Sequence, residues 1–547
     1  FQAEDGIRDV ERSRGLGDVY KRQVIDYIKE KYGSDSVTQI ITFGKMKARL
    51  VIRDVGRVMG MPLPEVDRIA KLIPEGPNIK LAESLENSRE LKEAAELDEE
   101  HRKLFDISLV LEGMNRHSST HAAGVVIAPG ALTDYVPLYR SSNGDVTTQY
   151  DMKSIDKIGL LKVDFLGLRN LTVIDNTLSA LRARGIELDL KNIPENDPKT
   201  LALFGEGRTI GIFQFESAGM RDYLKKLKPS GIEDLIAMNA LYRPGPMNMI
   251  GDFIDRKQGR AKITYLHPDL EPILKDTYGV IVYQEQVMQI VSVIGGFSLA
   301  KADQMRRAMG KKIKSEMENL KKEFIEGAVR KNIGKKLAEE IYALIEKFAS
   351  YGFNKSHSAA YAVLAYRVGY LKAHYPAEFM AANLTSEMNN TDRVVILSNE
   401  VRSMGSEILP PSINHSDVNF TPEDGGIRYG LNAIKNVGGR AAECVVSARK
   451  KSGPFQTLFQ FVSALDLKSV NRKALESLIA AGAADCLEGS RAQQFAAVDA
   501  AIQYAHGIQK EQNTDQVSLF DFGSGGPDSV MQEPHLPDVS PWNDNAR

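Results

Sequence analysis

The stretch from Gly159 to Asn170, GLLKVDFLGLRN, constrains the fold of this chain more than any other. Its short run of branched and aromatic residues predicts a β-strand close to a core. Because side chains alternate along a strand, Lys162 and Asp164 are expected on one face. A buried carboxylate must be paired, hydrogen-bonded or bound to a metal. The pattern therefore predicts either a structural Lys–Asp pair, which the stretch alone favours, or a site for phosphate and metal.

The composition sets wide limits. The chain has 547 residues, of which 43% are hydrophobic and 26% charged, as is typical of soluble globular domains. The net charge of -2 means that any nucleic-acid surface must be local. Cys444 and Cys486 are too few for a zinc cluster or a disulfide framework, which fits a reducing, cytoplasmic setting. No apolar run approaches about 18 residues, so no membrane span is predicted.

The first 23 residues, FQAEDGIRDVERSRGLGDVYKRQ, show neither an apolar period nor a convincing cap or turn signal. They resemble a translated sequencing adapter, so we leave them out of the fold prediction. We expect the natural protein to extend upstream and this chain to be an internal fragment of it.

Periodic patterns follow. Residues 24–33 have helical spacing and 37–46 have a strand pattern. An amphipathic helix is predicted over 47–60, and its arginines share one face because they are four residues apart: Arg49, Arg53 and Arg57. Such a face either pairs with acidic side chains, which is the commoner case, or follows a phosphate backbone.

A polar cluster at 116–121 precedes an apolar strand pattern at 125–127. A polar loop that leads into a strand often holds donors for an anion, although a capped helix end with surface histidines is the simpler structure. The spacing of His117 and His121 permits metal chelation, but no third ligand is near. This part predicts a mixed α/β unit, and the chain from 171 to about 408 predicts mainly helices.

Two basic clusters lie in the helical region. RRAMGKK at 306–312 places four cations in seven residues, and arginine forks match phosphate oxygens. NKSHS at 354–358 precedes three tyrosines, so a cation, a histidine and aromatic faces could hold a triphosphate and stack on a base. Each cluster taken alone is more often a solvated helix face or a capped helix N-terminus. The sequence contains no Walker or Rossmann glycine motif.

Ten motifs occur in order along the chain: ITFGKM, VIRDVGRV, HAAGVVIAP, LKVDFLGLRNLTVI, GIFQFES, YRPGPM, YQEQVMQI, RRAMGKK, YGFNKSHSAAY and LKAHYPAEFMAA. Together they resemble the alpha subunits of bacterial DNA polymerase III, the C family of replicative DNA polymerases. The resemblance extends from about residue 24 to the C-terminus.

The resemblance implies an α+β, mostly helical fold. It comprises a palm with the nucleotidyltransferase fold of polymerase beta, incomplete here, a helical thumb, large helical fingers, and then a helix-hairpin-helix, clamp-binding domain. The predicted domains are a non-native segment at 1–23, palm at 24–45 and 116–168, thumb at 46–115, fingers at 169–408, the helix-hairpin-helix and clamp-binding domain at 409–525, and a linker at 526–547.

The resemblance also implies template-directed DNA synthesis, in which two Mg²⁺ ions assist transfer of deoxynucleotides from dNTPs to a primer 3′ hydroxyl. Of the family's three metal-binding aspartates, only Asp164 has a counterpart here, because the family's Asp-x-Asp motif would precede residue 24. Lys162 matches a palm lysine near the phosphates. The predicted nucleotide-binding residues are Arg306, Arg307, Lys355 and His357, and the predicted DNA-binding residues of the thumb are Arg53 and Arg57.

Residues 433–450, AIKNVGGRAAECVVSARK, resemble a helix-hairpin-helix, in which backbone N–H groups of a glycine turn hold DNA phosphates. The usual Gly-hydrophobic-Gly is replaced by Asn436, Val437 and Gly438, so a plain αα-hairpin remains the alternative. The candidate DNA-binding residues are Lys435, Val437 and Gly438. A second helix pair is predicted at 471–487.

A polar, glycine-rich region contains a pentapeptide that resembles the family's internal sliding-clamp-binding motif. Leu519 and Phe520 are expected to enter an apolar groove, with Gln516 and Ser518 beside them.

Three functions stay open at this point. The first is a replicative polymerase with primer-template DNA, dNTPs, the sliding clamp and other replicase subunits as partners, here as a fragment lacking two metal ligands. The second is a non-enzymatic module that binds DNA and clamp. The third, a nucleotide-dependent transferase without a template, leaves the hairpins and the pentapeptide unexplained.

Overall fold

The computed structural model describes residues 17–76, 79–141, 144–311, 314–349, 352–512 and 532–542. The chain separates into two units, residues 1–169 and 170–547. Helices dominate, and each unit contains one small sheet, which confirms the predicted mostly helical α+β class.

A mixed five-stranded sheet organises the first unit. Its strands are β1 (Val37–Lys45), β2 (Asn115–Ile127), β3 (Leu138–Arg140), β4 (Val146–Thr148) and β5 (Leu161–Asp164). Their order is β3-β4-β1-β2-β5, with β4 and β1 parallel and every other pair antiparallel. β5 is therefore an edge strand, and its Asp164 lies opposite Gly124 of β2.

In the described part of the first unit, seven α-helices accompany this sheet: α1 (Gly17–Tyr32), α2 (Ala48–Met59), α3 (Leu63–Leu72), α4 (Leu81–Asn87), α5 (Arg89–Ala95), α6 (Glu99–Leu111) and α7 (Met152–Lys157). A 3₁₀ turn covers Leu132–Asp134. Helix α1 starts inside the segment predicted to be non-native and ends before Gly33, whose φ is 98°. Helices α2 to α6 lie between β1 and β2 in sequence and share a core that includes Ile52, Ile69 and Leu104.

Two predictions about this sheet are wrong. The central stretch was expected to be buried, but Leu161 is 60% exposed and Leu166 is 78% exposed. The reason is that β5 has only β2 as a neighbour, and an apolar run does not distinguish an edge strand from a central one. The polar cluster at 116–121 was expected in a loop, but it lies within β2, because backbone pairing with β1 requires no apolar side chains.

Between residues 169 and 403, the described residues form thirteen helices, which confirms the mainly helical region from 171 to about 408. They are α8 (Arg169–Ala183), α9 (Pro198–Gly205), α10 (Ala218–Leu227), α11 (Ile232–Leu241), α12 (Ile250–Lys257), α13 (Glu271–Leu274), α14 (Gln284–Val293), α15 (Leu299–Lys311), α16 (Lys314–Arg330), α17 (Lys335–Ala349), α18 (Lys355–His374), α19 (Pro376–Glu387) and α20 (Thr391–Ser403). The 3₁₀ turns here are Pro246–Met249, Pro268–Leu270 and Lys275–Thr277.

Two apolar cores hold these helices. One surrounds α18 and includes Phe204, Phe215 and Phe379. The other includes Phe324 and Tyr342 and packs α14 to α17 together. Helix α18 contacts both α9 and α11. Near its N-terminus, Ser358 Oγ donates to Ile236 O of α11 at 2.6 Å.

The C-terminal helices have a core of their own, whereas Ile427 of the C-terminal sheet packs into the core around α18. Strands β6 (Glu407–Leu409), β7 (Thr421–Glu423) and β8 (Gly426–Arg428) are arranged in the order β6-β8-β7. The 3₁₀ turn Leu431–Ala433 precedes helices α21 (Gly439–Ser452), α22 (Leu458–Ser463), α23 (Arg472–Ala480), α24 (Arg491–Ala496) and α25 (Val498–Gln512). Residues 532–542, predicted as part of a linker, contact this core through Leu536, and Trp542 packs against Phe495 with ring centroids 5.5 Å apart.

Candidate functional site

The edge of the first sheet presents Lys162 and Asp164. The two residues are separated by one position of β5 and so share a face, as predicted. Lys162 Nζ lies 3.5 Å from Asp156 Oδ2 of α7, so the lysine pairs with a different acid from the one expected. Asp164 is exposed at the end of the strand. This edge therefore offers one solvent-facing carboxylate and one partly buried lysine.

The residues around Asp164 do not by themselves fit a magnesium site. Magnesium requires several oxygen ligands, commonly more than one carboxylate. In the part of the chain that the structure describes, no group of three or more His, Cys, Asp or Glu side chains could hold a metal ion. His121 Nδ1 accepts hydrogen bonds from the N–H groups of Ala123 and Gly124, at 3.1 and 2.5 Å, and His117 lies against Gly44.

The arginine face of α2 pairs with acids, which is the first of the two predicted alternatives. Arg53 Nε donates to Asp67 at 2.7 Å, and Arg57 Nη2 donates to Asp54 at 2.9 Å. The hydrogen bond from Arg53 lowers the pKa of Asp67. Arg116 Nε also donates to Asp54, at 2.6 Å. A role of Arg53 and Arg57 in DNA binding stays a prediction.

In the second unit, Arg306 and Arg307 of α15 converge on one carboxylate. Their Nε atoms donate to Asp303 at 2.9 and 2.8 Å, and the hydrogen bond from Arg306 is the main cause of the lowered pKa of Asp303. Arg306 Nη1 also donates to Gln284 Oε1 at 3.3 Å. The side chain of Lys311 and all of Lys312 lie outside the described residues, so the structure covers two of the four predicted cations.

Lys355 and His357 begin α18. Asn354 caps this helix, because its side chain accepts from the His357 N–H at 2.8 Å, as one of the alternatives predicted. Both carboxylate oxygens of Glu285 accept from the Lys355 N–H, at 3.1 and 3.0 Å. Lys355 Nζ lies 3.8 Å from Glu233 and 5.4 Å from the centroid of the Tyr283 ring.

Helix α14 joins these two predicted pairs. Gln284, which accepts from Arg306, donates through its own N–H to Phe353 O at 2.9 Å and through Nε2 to Gly352 O at 3.0 Å. Its neighbour Glu285 holds the start of α18. The structure therefore brings Arg306, Lys355 and His357 into one cluster, which we call the α14–α15–α18 cluster.

A row of rings runs along the same end of α18. Phe353 and His357 have centroids 5.2 Å apart, His357 and Tyr361 are 4.7 Å apart, and Tyr361 and Phe213 are 5.6 Å apart. All four side chains are half-buried. Phe213 and Phe353 were not predicted as site residues, although the motifs GIFQFES and YGFNKSHSAAY contain them.

The C-terminal part contains the predicted hairpin turn. Lys435 and Gly438 are exposed, and Asn436 has a φ of 69°, a conformation that asparagine tolerates better than most residues. Val437 is buried in the core and its N–H donates to Ile434 O, so this N–H is not free to bind phosphate. The predicted clamp-binding residues Gln516, Ser518, Leu519 and Phe520 lie outside the described residues.

Three family models match the chain. The model described as the bacterial DNA polymerase III alpha NTPase domain matches residues 16–167, and the bacterial DNA polymerase III alpha subunit finger domain matches 170–332. A helix-hairpin-helix motif matches 405–494. The first match includes residues 16–23 of the segment predicted to be non-native.

Several curated relatives share the name DNA polymerase III subunit alpha. The chain is 48% identical to the protein of Borreliella burgdorferi, over 91% of this chain and 43% of the relative. It is 48% identical to the Bacillus subtilis protein, over 92% and 45%, and 46% identical to the Escherichia coli protein, over 95% and 46%. The chain thus spans a little under half the length of these relatives.

These matches place the chain, by class, among the subunits of bacterial DNA polymerases. Within that class it belongs to the DNA polymerase III alpha subunit family. No helix among the described residues is both long and apolar enough to cross a membrane.

Proposed function

We propose that this chain is part of the catalytic alpha subunit of a bacterial replicase, which transfers deoxynucleotides from dNTPs to a primer 3′ hydroxyl under the direction of a template. The α14–α15–α18 cluster is the observation that carries the proposal. It unites two arginines, a lysine, a histidine and a row of rings within a single unit. These are the groups that a nucleoside triphosphate requires.

In this proposal the triphosphate binds at Arg306, Arg307 and Lys355. Guanidinium forks match phosphate oxygens in pairs, and lysine adds a point charge. The base stacks on the exposed side of the ring row near His357. The base does not enter between the rings. Neighbouring ring centroids are at most 5.6 Å apart, which leaves no room for a further planar group between two rings.

The edge of β5 carries a separate part of the proposal, within the first unit. Lys162 would contact a phosphate group, and Asp164 would supply one of the carboxylate ligands that Mg²⁺ requires. The described residues do not supply the others, so we assign no catalytic step to this edge.

Contacts with DNA and with a sliding clamp complete the proposal. The turn at Lys435 and Gly438 would hold the DNA backbone without reading sequence. The pentapeptide at 516–520 would dock on the clamp, and the other replicase subunits remain expected partners.

A titration of the full chain tests the nucleotide-binding part. Arg306→Ala is expected to weaken dATP binding about tenfold or more, because it removes charge-assisted hydrogen bonds to phosphate. Binding of a primer-template duplex should change less than twofold. Arg330→Ala, which removes an exposed arginine at the end of α16, is the charge-matched control. Equal losses of affinity for dATP and for duplex, with a weaker salt dependence of duplex binding, would indicate that Arg306 binds the DNA backbone and not the triphosphate.

A second function is favoured by one observation. Because the described residues contain no carboxylate cluster for a metal, this chain on its own fits a non-enzymatic module that binds DNA and clamp. Retention of clamp and duplex binding without any dATP binding would support this module and contradict the first proposal.

A further inference from the structure

Arg243 is a cation for which neither the sequence nor the family models provide a role. It follows α11 in the motif YRPGPM. Its Cζ lies 3.5 Å from the centroid of the Phe353 ring, a distance that places the guanidinium against the face of the ring. The side chain is half-buried, and among the described residues no carboxylate or carbonyl accepts a hydrogen bond from its guanidinium.

This arrangement leaves donors unsatisfied. A guanidinium has five N–H donors in its own plane, so stacking on a ring leaves them pointing outward. Partial burial of a charge has a cost unless the charge is paired, and burial lowers the pKa of Arg243. The ring offsets part of this cost, but it accepts no hydrogen bonds. An anion in the plane of the guanidinium would satisfy the N–H donors of Arg243.

The platform under Arg243 is fixed within the α14–α15–α18 cluster. Phe353 N–H donates to Val282 O at 3.1 Å, and Phe353 O accepts from Gln284 N–H. Gln284 also accepts from Arg306. Two residues after Arg243, Gly245 has a φ of 104°, a conformation that favours glycine.

We propose that Arg243 binds phosphate oxygens of a ligand held in this cluster. The inference rests on the proposed nucleotide site and adds to it a phosphate-binding residue from a different part of the chain. Two sources supply the same chemistry, namely the triphosphate of a free dNTP and the phosphodiester backbone of a single strand.

Binding titrations of the full chain at fixed ionic strength test this role, with inorganic tripolyphosphate, dATP and a (dT)12 oligonucleotide as probes. Arg243→Met keeps an unbranched apolar stem on the ring and removes the donors. It is expected to weaken binding of at least one probe about tenfold, the usual scale for hydrogen bonds to charged groups. Arg367→Met is the matched control. It removes a half-buried arginine of α18, the helix that also carries His357, and this arginine lies about 15 Å along the helix axis from that histidine.

The three probes distinguish the sources. Loss for tripolyphosphate and dATP but not for (dT)12 assigns Arg243 to the triphosphate, and the reverse assigns it to a strand phosphate. Unchanged affinity for all three probes, with an unchanged melting temperature, would overturn the proposal and leave Arg243 as a packing residue. Equal losses in Arg243→Met and Arg367→Met would also overturn it, because they would indicate a non-specific charge effect.

Two further variants cover the remaining outcomes. If Arg243→Met does not fold, Arg243→Lys keeps the charge but lacks the planar fork, and wild-type affinity of the folded lysine variant would contradict the proposal. Arg306→Ala, measured in parallel, separates the proposed nucleotide site from the proposed role of Arg243. If it loses dATP binding while Arg243→Met keeps its affinity for all three probes, the proposed nucleotide site stands and the role of Arg243 fails. The opposite result retains Arg243 and removes Arg306.

Discussion

The edge of β5 and the α14–α15–α18 cluster differ in how their residues are held. At the edge of β5, Asp164 is exposed and Lys162 pairs with Asp156. In the cluster, Gln284 accepts from Arg306 and donates to Gly352 O, and Glu285 accepts from the Lys355 N–H, so hydrogen bonds connect three segments that are distant in sequence. The groups at the edge of β5 are incomplete as a metal site, whereas the groups of the cluster are connected to one another by hydrogen bonds.

The difference separates binding from chemistry. Ligand binding needs donors and surfaces that are already oriented, and the cluster provides them within one unit. Metal-assisted phosphoryl transfer needs several ligands that converge, and among the described residues no group of three or more His, Cys, Asp or Glu side chains does so. We therefore expect this chain to bind nucleotides more effectively than it transfers them to a primer.

The largest expected effect is the absence of primer extension. A primer-template incubated with the chain, dNTPs and Mg²⁺ should show no added nucleotides, because no group of three or more possible metal ligands occurs among the described residues to hold the ions. A gel-based extension assay measures this, with an intact bacterial alpha subunit as the positive control. Template-dependent extension that disappears in Asp164→Ala would show that other carboxylates of the chain complete the site, and the contrast between the two regions would then be wrong.

The next effect concerns rate. In a version of the chain joined to the upstream sequence of a relative, Arg306→Ala or Arg307→Ala should lower kcat by about 10²–10³, the usual loss when one donor to developing charge is removed. Single-turnover kinetics beside a duplex titration gives the measurement. Arg330→Ala should leave both unchanged. An Arg306 effect confined to duplex affinity would contradict a role at the triphosphate.

A third effect separates clamp binding from both regions. Leu519→Ala with Phe520→Ala should weaken binding of the full chain to a bacterial sliding clamp by about 2 kcal/mol or more, because short peptides bind chiefly through a few apolar anchors. Gln516→Ala should cost less. Salt should affect this interaction less than DNA binding.

Calorimetry against purified clamp tests the effect, and a thermal melt of each variant is the control. A lowered melting temperature without any clamp binding by the parent chain would make Phe520 a core residue instead.

The sequence predicted the features that depend on neighbouring residues. Helix α18 begins where Asn354 can cap it, and the arginines of α2 pair with acids on adjacent turns and helices. The resemblance supplied Arg306, Lys355 and His357, and the structure shows them in one cluster.

Features that depend on tertiary neighbours were missed. Neither the edge position of β5 nor the partner of Lys162 follows from an apolar pattern, because both depend on which strand or helix lies alongside. The contacts of Arg243 with Phe353 and of Phe213 with Tyr361 join distant segments. The motifs contain these residues, but no local sequence signal distinguishes a ring that packs in the core from a ring that supports a ligand.

The smallest expected effect arises from competition inside the cluster. Asp303 accepts hydrogen bonds from both Arg306 and Arg307, and these arginines lower its pKa. The carboxylate thus occupies the donors that a triphosphate would need. Asp303→Asn should raise dATP affinity by about two- to fivefold, because solvent-accessible ion pairs of this kind contribute little.

The direction of the pH dependence follows from the same pair. Since the pKa of Asp303 is lowered, its pairing with the arginines is complete above the ordinary aspartate pKa and is lost only as the pH falls through the lowered value. The advantage of Asp303→Asn over the parent chain should therefore be constant between pH 6 and 8. Titrations with dATP at several pH values measure it, with Asp255→Asn, which frees the distant Arg260, as the matched control. A loss of dATP affinity in Asp303→Asn would mean that the carboxylate orients the arginines for the ligand instead of competing with it, so the cluster would be preorganised by its own acid.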